Sequence, residues 1–159
     1  MRQAESLRGH VDLSRPLDVV AALYRLLSGP RAVERDWPAV RALFLPEAQL
    51  HSELVLPDGA LKSRSWTVDE FVSEAAEAYA REDGFWEREV ARRMEEYGDI
   101  AHVWSTYEAH VGSPDGPPAM RGINSIQLLR RNERWWIAGV LFQIDRAPMT
   151  PIPAKYLCS

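Results

Sequence analysis

The sequence predicts an α+β domain in which helices lie on one side of an antiparallel sheet. Three observations predict this class. Apolar residues recur at helical spacing in the first half of the chain, and from Phe85 onward they alternate at strand spacing. Two-residue turns at 98–99 and 132–133 join the strands into hairpins. The predicted order is two helices, a hairpin, a third helix and four antiparallel strands.

Each of the first two helices has a start and a stop signal. Ser14 is the predicted N-cap of the first helix, with Pro16 just inside it, and the Ser-Gly-Pro sequence at 28–30 ends it. Asp36 is predicted to cap a short second helix, "WPAVRALF", which ends before Pro46.

The third helix follows a hairpin. The Pro-Asp-Gly sequence at 57–59 predicts the turn of that hairpin. Thr67 and Glu70 then form a capping box ahead of a helix that ends by Gly84. The first of the four later strands, "FWEREVARRMEEY", is charged on both faces, which is typical of an edge strand protected from aggregation.

Composition and charge limit the possible partners. At 159 residues the chain is long enough for one domain with a buried core. A net charge of −4 argues against nucleic acid or an anionic membrane as the main partner. The single cysteine, Cys158, excludes an internal disulfide and a cysteine-cluster metal site. No run of residues resembles a signal core or a membrane span, so we expect a cytoplasmic protein.

The chain divides into three parts. Residues 1–13 lack periodicity and are predicted to form a loose N-terminal arm, and residues 14–146 form the domain. Residues 147–159 form a proline-rich tail that is expected to lie along the surface in extended form.

Strict alternation from the turns assigns one face of the sheet to a pocket wall. This face mixes bulky apolar residues with small and polar ones, which leaves space for a ligand. A one-residue slip in register would exchange the two faces. The candidate ligand-binding residues on this face are Trp86, Arg88, Ser105, Asn124, Trp135, Leu141 and Gln143.

The opposite face carries an apolar patch with a polar rim. A patch of this kind on the outside of a sheet is typical of a subunit interface, so we expect a homodimer. The assignment also explains the adjacent tryptophans of "RWWIAGVLF", because neighbouring side chains in a strand point to opposite faces. The candidate interface residues are Trp104, Gln127, Trp136, Val140 and Phe142.

The element order, together with "LFLPEAQL", "YGDIAHVWSTYEAHV", "RGINSIQLL" and "ERWWIAGVLF", resembles the nuclear transport factor two-like superfamily over residues 14–146. The resemblance is to its SnoaL-like and ketosteroid-isomerase-like branch. It implies a cone, in which a strongly curved sheet wraps around three helices and leaves a pocket at the wide end. It also implies dimerisation through the outer face of the sheet. It does not fix a function, because the superfamily includes isomerases, cyclases, dehydratases, dioxygenase small subunits and non-catalytic binding proteins.

Proton-transfer members of that superfamily use a pocket carboxylate or histidine as base and a hydroxyl or protonated acid as oxyanion donor. Tyr107 is the candidate donor, and the alternative is a core tyrosine bonded to a backbone carbonyl. Asn124 lies beside Tyr107 in the trial register, where it can serve as a ligand-binding amide or as a structural one.

The candidate bases are His51 and Asp145. A histidine has the most suitable ordinary pKa for a general base, although an ordinary surface or rim histidine is the favoured interpretation of His51. Asp145 lies at the end of the last strand. Glu96 lies near the hairpin turn, so solvent is its expected partner. No positioned carboxylate is evident, which argues against enzymatic activity. No metal-ligand spacing, phosphate loop or nucleophile elbow is present, so no metal or cofactor is expected.

Two functions from different classes follow. The first is a small-molecule-binding protein for an apolar ligand with a polar end, which isomerises or dehydrates that ligand by proton transfer if it is catalytic. The second is a non-catalytic accessory or assembly subunit, like the dioxygenase small subunits of this fold. An open cavity favours the first, and an interior filled by side chains favours the second.

Overall fold

The computed structural model describes residues 11–146 and 151–158. The predicted order of elements is confirmed. None of the helices in the described ranges is long and apolar enough to span a membrane. The elements are α1 (Pro16–Leu27), α2 (Trp37–Arg41), β1 (Phe44–Val55), β2 (Leu61–Thr67), α3 (Val68–Arg81), β3 (Phe85–Tyr97), β4 (Ile100–Val111), β5 (Met120–Arg131), β6 (Arg134–Ile144) and a short 3-10 helix (Ala154–Tyr156).

Two of the three predicted helix caps are present. The Asp36 carboxylate accepts a hydrogen bond from the Ala39 N–H at 3.0 Å, and the Thr67 and Glu70 capping box forms both of its reciprocal bonds. The prediction for Ser14 is wrong, because Arg15 occupies the N-cap of α1 and no side chain caps it.

Helix α2 is shorter than predicted. It ends at Arg41 because Phe44 already begins β1, where it pairs with Ile137 of β6. That strand pairing satisfies the backbone of Phe44 in the sheet, so the helix cannot continue to it.

The sheet has six strands in the order β2-β1-β6-β5-β4-β3. Every neighbouring pair is antiparallel, as predicted, except β1 and β6, which run parallel and make the sheet mixed. Strand β3 lies at one edge, in agreement with its charged pattern.

Two bulges decide which side chains face the helices. Val90 is an extra residue in β3 opposite β4, and Ala138 is an extra residue in β6 opposite β5. A bulge of one residue exchanges the faces on its far side. The predicted faces therefore hold on one side of each bulge and are reversed on the other.

The inner face of the sheet packs against the helices. Val19 of α1, Val103 of β4, Ile126 of β5 and Ile137 of β6 are fully buried in this core. The chain just before α1 joins it, because the Trp135 N–H donates to the Leu13 carbonyl at 2.9 Å. The end of the predicted arm is therefore held against the domain, and residues 1–10 lie outside the described part of the chain.

The tail lies against the outer face of the sheet over residues 151–158. The Tyr156 ring packs on Trp104 with centroids 5.4 Å apart, and the Thr106 hydroxyl donates to the Tyr156 carbonyl at 2.6 Å. An Arg93 guanidinium N–H also donates to the Lys155 carbonyl at 3.2 Å. Residues 147–150 and 159 of the predicted tail lie outside the described part of the chain.

Candidate functional site

A cavity of about 310 Å³ lies between α1, α3 and the inner face of the sheet. Most of its wall is apolar, as in small-molecule sites generally. The lining residues Glu74 and Ala78 are exposed and belong to α3, so the mouth opens beside that helix. The polar lining residues are Glu74, Tyr79, Glu87, Tyr107 and Asn124.

Glu87 is the acidic group inside the cavity. Its backbone is fixed to the end of α1, because its N–H donates to the Ser28 hydroxyl at 2.9 Å. Its carboxylate accepts a hydrogen bond from the Asn124 amide at 3.3 Å. Burial raises the pKa of Glu87 to about 7, against the opposing effect of that hydrogen bond. Near neutral pH both forms are populated, as a general acid–base group requires.

The sequence reasoning missed Glu87 because the bulge at Val90 lies between this residue and the turn from which the register was counted. A signal for the bulge was present. Gly84 and the turn at 98–99 enclose 13 residues, whereas that turn and Gly112 enclose 12, a mismatch that an extra residue in β3 accounts for.

Tyr107 places a phenol beside Glu87. The two residues are diagonal neighbours on β4 and β3, since Tyr107 lies opposite Glu89. The Tyr107 side chain is 5% exposed, and within the described ranges its hydroxyl has no hydrogen-bond partner. Burial raises its pKa far above the ordinary value, so the hydroxyl stays protonated and can donate to a ligand. The alternative of a core tyrosine bonded to a backbone carbonyl is not found.

The position of Tyr107 depends on a glycine. Gly122 lies opposite Tyr107 on β5. A Cβ at this position would lie 2.6 Å from the Gln143 carbonyl oxygen and would also collide with the Tyr107 hydroxyl. Only a residue without a side chain therefore lets the phenol lie at this depth.

Asn124 and Ser105, both predicted on the pocket face, lie on that face and belong to a buried network. The Asn124 Nδ2 donates to the Tyr24 hydroxyl at 3.1 Å, and the Tyr24 and Ser105 hydroxyls are 2.7 Å apart. Ser105 donates to Glu89, which also pairs with Arg92 at 2.6 Å. Asn124 lines the cavity, but its amide N–H groups already have partners in the protein.

The mouth of the cavity carries a second carboxylate. The Trp66 indole N–H donates to Glu74 at 2.9 Å, and Arg64 pairs with the same carboxylate. The hydrogen bond from Trp66 lowers the pKa of Glu74, so this group is ionised at neutral pH. No lysine, arginine or histidine is found among the described residues that line the cavity.

Four of the predicted ligand-binding residues lie on the wrong face because of the bulges. Trp86 lies opposite His110 on the outer face, and Arg88 pairs there with Glu108 at 3.2 Å. Beyond the Ala138 bulge, Leu141 and Gln143 also point outward, and Leu141 is 56% exposed. A fifth predicted residue, Trp135, faces inward but packs in the core instead of lining the cavity.

The bulge at Ala138 also places two of the predicted interface residues on the inner face instead of the outer one. Val140 and Phe142 face inward and line the cavity. Trp104, Gln127 and Trp136 lie on the outer face, as predicted, although Trp104 is covered by Tyr156 of the tail.

Neither predicted base reaches the cavity. His51 points outward, where its Nδ1 lies 2.8 Å from the Ser65 hydroxyl, because its neighbours Leu50 and Ser52 face inward. Asp145 follows the end of β6 and lines a groove on the outer face. His51 and Asp145 therefore lie outside the inner cavity, and both line that outer groove. No three metal-ligating side chains come together in residues 11–146 and 151–158.

The sequence matches no family model and no curated protein, whereas the fold has many relatives among solved structures. One is a protein of unknown function with a cystatin-like fold from Nostoc punctiforme (TM-score 0.63, 14% identity, 84% of this chain and 91% of that one). Another is a candidate dehydratase of the NTF2-like family from Streptomyces avermitilis (TM-score 0.58, 16% identity, 90% of this chain and 97% of that one). A third is a candidate ketosteroid isomerase from Shewanella frigidimarina (TM-score 0.54, 17% identity, 79% of this chain and 92% of that one). The chain therefore has the nuclear transport factor two-like fold, as the resemblance of its sequence implied.

Proposed function

We propose that the protein binds a small, largely apolar ligand in the inner cavity and moves a proton on it, as a cofactor-independent isomerase or dehydratase. The observation that carries the proposal is Glu87, a carboxyl group with a pKa of about 7 in an apolar cavity. The cavity itself favours this function over an accessory subunit with a filled interior. The candidate dehydratase and candidate ketosteroid isomerase among the similar folds agree with the reaction class.

Glu87 and Tyr107 divide the chemistry between them. The Glu87 carboxylate removes a proton from a carbon next to a carbonyl group of the ligand, and the electron pair moves onto the carbonyl oxygen. The Tyr107 hydroxyl donates a hydrogen bond to that oxygen as its charge develops. Glu87 then returns the proton to a different carbon in an isomerisation, or to a departing hydroxyl group in a dehydration. Asn124 assists by donating to the base and does not bind the oxyanion.

The electrostatics of the cavity favour a neutral ligand. Glu74 is ionised at the mouth, and the described lining offers no cation to pair with an anionic group. A carboxylate or phosphate would therefore lose its water without gaining a partner. The volume of about 310 Å³ corresponds to roughly ten water molecules, which suits a ligand of one or two rings.

The test is hydrogen–deuterium exchange at the carbon next to the carbonyl in a panel of small cyclic ketones and enones, followed by NMR. We expect exchange to be accelerated for at least one neutral member and not for the matching carboxylic acids. Glu87→Gln should slow this exchange about 100-fold or more, and Tyr107→Phe about 10- to 100-fold. Glu96→Gln, an exposed site on the same strand, is the matched control and should have no effect. Exchange that survives Glu87→Gln would contradict the proposal.

We also propose that two copies of the chain pair through the outer face around Gln127 and Trp136. A charge buried at such an interface is strongly unfavourable, so Trp136→Glu should convert the dimer into monomers in sedimentation velocity. Tyr97→Glu is the control, since Tyr97 is an aromatic residue on a strand end that is 84% exposed. A wild-type monomer, or a Trp136→Glu protein that stays dimeric, would rule out this interface.

A further inference from the structure

The buried network beside Glu87 ends on a second carboxylate. Glu89 accepts hydrogen bonds from the Ser105 hydroxyl and from Arg92, whose guanidinium lies 2.6 Å away. An ionised carboxylate can only accept hydrogen bonds, whereas a hydroxyl or an amide can donate as well as accept. Among Glu89, Ser105, Tyr24 and Asn124, the carboxylate of Glu89 is therefore the group that can only accept.

That fixed end determines the direction of every other bond in the network. Ser105 has one hydroxyl proton, which goes to Glu89, so its oxygen accepts the proton of Tyr24 at 2.7 Å. With its own proton engaged, the Tyr24 oxygen accepts from the Asn124 Nδ2 at 3.1 Å. The Asn124 amide is thereby turned with its N–H groups toward Tyr24 and Glu87.

We propose that Glu89 is a positioning residue for this site: acting through Ser105 and Tyr24, it holds an N–H of Asn124 on the Glu87 carboxylate. The chain that carries this effect runs through α1, β4 and β5, so it is not visible in the spacing of residues along β3. The inference rests on the proposed role of Glu87 for its functional meaning, although not for its test.

Loss of Glu89 has a defined consequence. Without Glu89 the Ser105 proton loses its acceptor and turns onto the Tyr24 oxygen. The buried Tyr24 proton then needs another acceptor, and the Asn124 carbonyl oxygen supplies one when the amide rotates. The rotated amide presents oxygen in place of N–H to Glu87, which disfavours its ionised form. A direct effect of charge would act in the opposite direction, because removal of a nearby negative charge makes ionisation of Glu87 easier.

The experiment is a pH titration of Glu87 by NMR with glutamate labelled at the carboxyl carbon, in which the Glu87 signal is the one missing from Glu87→Gln. Glu89→Leu and Ser105→Ala should each raise the midpoint by about one unit, the worth of one hydrogen bond to a charged group. Ser105→Ala keeps the charge of Glu89 and so isolates the network. Arg92→Gln leaves Glu89 as the acceptor, and because the Arg92 side chain is 48% exposed, the loss of its charge should raise the midpoint by much less.

A midpoint that is unchanged or lowered in Ser105→Ala or in Glu89→Leu would overturn the inference. Either variant decides the question alone if the other does not fold. The titration needs no ligand and no turnover, so a failure of this inference can be distinguished from a failure of the proposed function. If the midpoints are raised but the protein exchanges no proton on any ligand, the result supports the role of Glu89 in the network and contradicts only the proposed reaction.

Discussion

Glu87→Gln is expected to stabilise the protein above pH 7 and to change its stability little at pH 4. Burial raises the pKa of Glu87 from the ordinary value of 4.5 to about 7 in the folded state. The wild-type protein therefore loses stability as the pH rises from about 4.5 to about 7, because the folded state resists an ionisation that the unfolded state accepts. Glutamine never ionises, so the variant avoids this loss.

The expected gain in the free energy of unfolding is about 3.5 kcal/mol at most, since the pKa differs between 4.5 and about 7 and each pKa unit corresponds to about 1.4 kcal/mol. Urea unfolding at pH 4 and pH 8 measures it. Glu96→Gln, an exposed site on the same strand, should show no such pH-dependent gain. An equal change at both pH values, or none at pH 8, would mean that Glu87 is not buried as an acid. A variant that is more stable and inactive would fit a general rule, in which a site keeps an unfavourable group because its chemistry needs it.

Gly122→Ala is expected to destabilise the protein by about 1–3 kcal/mol, the usual cost of overpacking. The new methyl group would lie 2.6 Å from the Gln143 carbonyl oxygen, which belongs to the backbone of β6 and cannot move freely. It would also push the Tyr107 ring toward the cavity, so ligand binding should weaken together with stability.

Gly139→Ala is the matched control for this prediction. It is also a glycine within a strand, but a Cβ there would lie 3.4 Å from the Gln49 carbonyl oxygen, which is an ordinary contact. Urea unfolding of both variants should show a loss only for Gly122→Ala. Equal stabilities would mean that the close packing of Gly122 against Tyr107 does not exist in solution.

The elements of the fold could be predicted because their signals are local. Gly98, in the turn between β3 and β4, has a φ of 57°, and Asn132 and Glu133 have φ values of 53° and 61°. Such positive φ angles suit the tight turns of two-residue hairpins, so the turn positions and the strands beside them follow from the sequence. The capping box at Thr67 is equally local.

The faces of the sheet could be predicted only up to the bulges. Neither Val90 nor Ala138 is a residue type that marks an irregular strand, and the register beyond each of them is set by the partner strand. Asn124 and Ser105 lie on the predicted side because no bulge separates them from the turns. Leu141 lies beyond the bulge in β6 and was predicted on the opposite face. Glu87 lies beyond the bulge in β3, where strict alternation gives the wrong face.

The network around the candidate site depends on contacts that no local pattern reveals. Tyr24 fits the apolar stripe of α1, and nothing in its spacing indicates that its hydroxyl meets Ser105, a residue 81 positions away. The curvature of the sheet brings the helix and the strands together at this point. Asn124 was predicted as a ligand-binding or structural amide beside Tyr107. In the structure it lines the cavity and also donates a hydrogen bond to the proposed base, Glu87.

The pH titration of the Glu87 carboxyl carbon in the wild-type protein tests the central claim most directly. A midpoint near 7 is predicted, since the claim is that a buried acid lines the inner cavity and changes its protonation state at neutral pH. A midpoint near 4.5, the ordinary value for glutamate, would contradict the account, because the carboxyl group would then be solvated and unsuited to the proposed proton transfer.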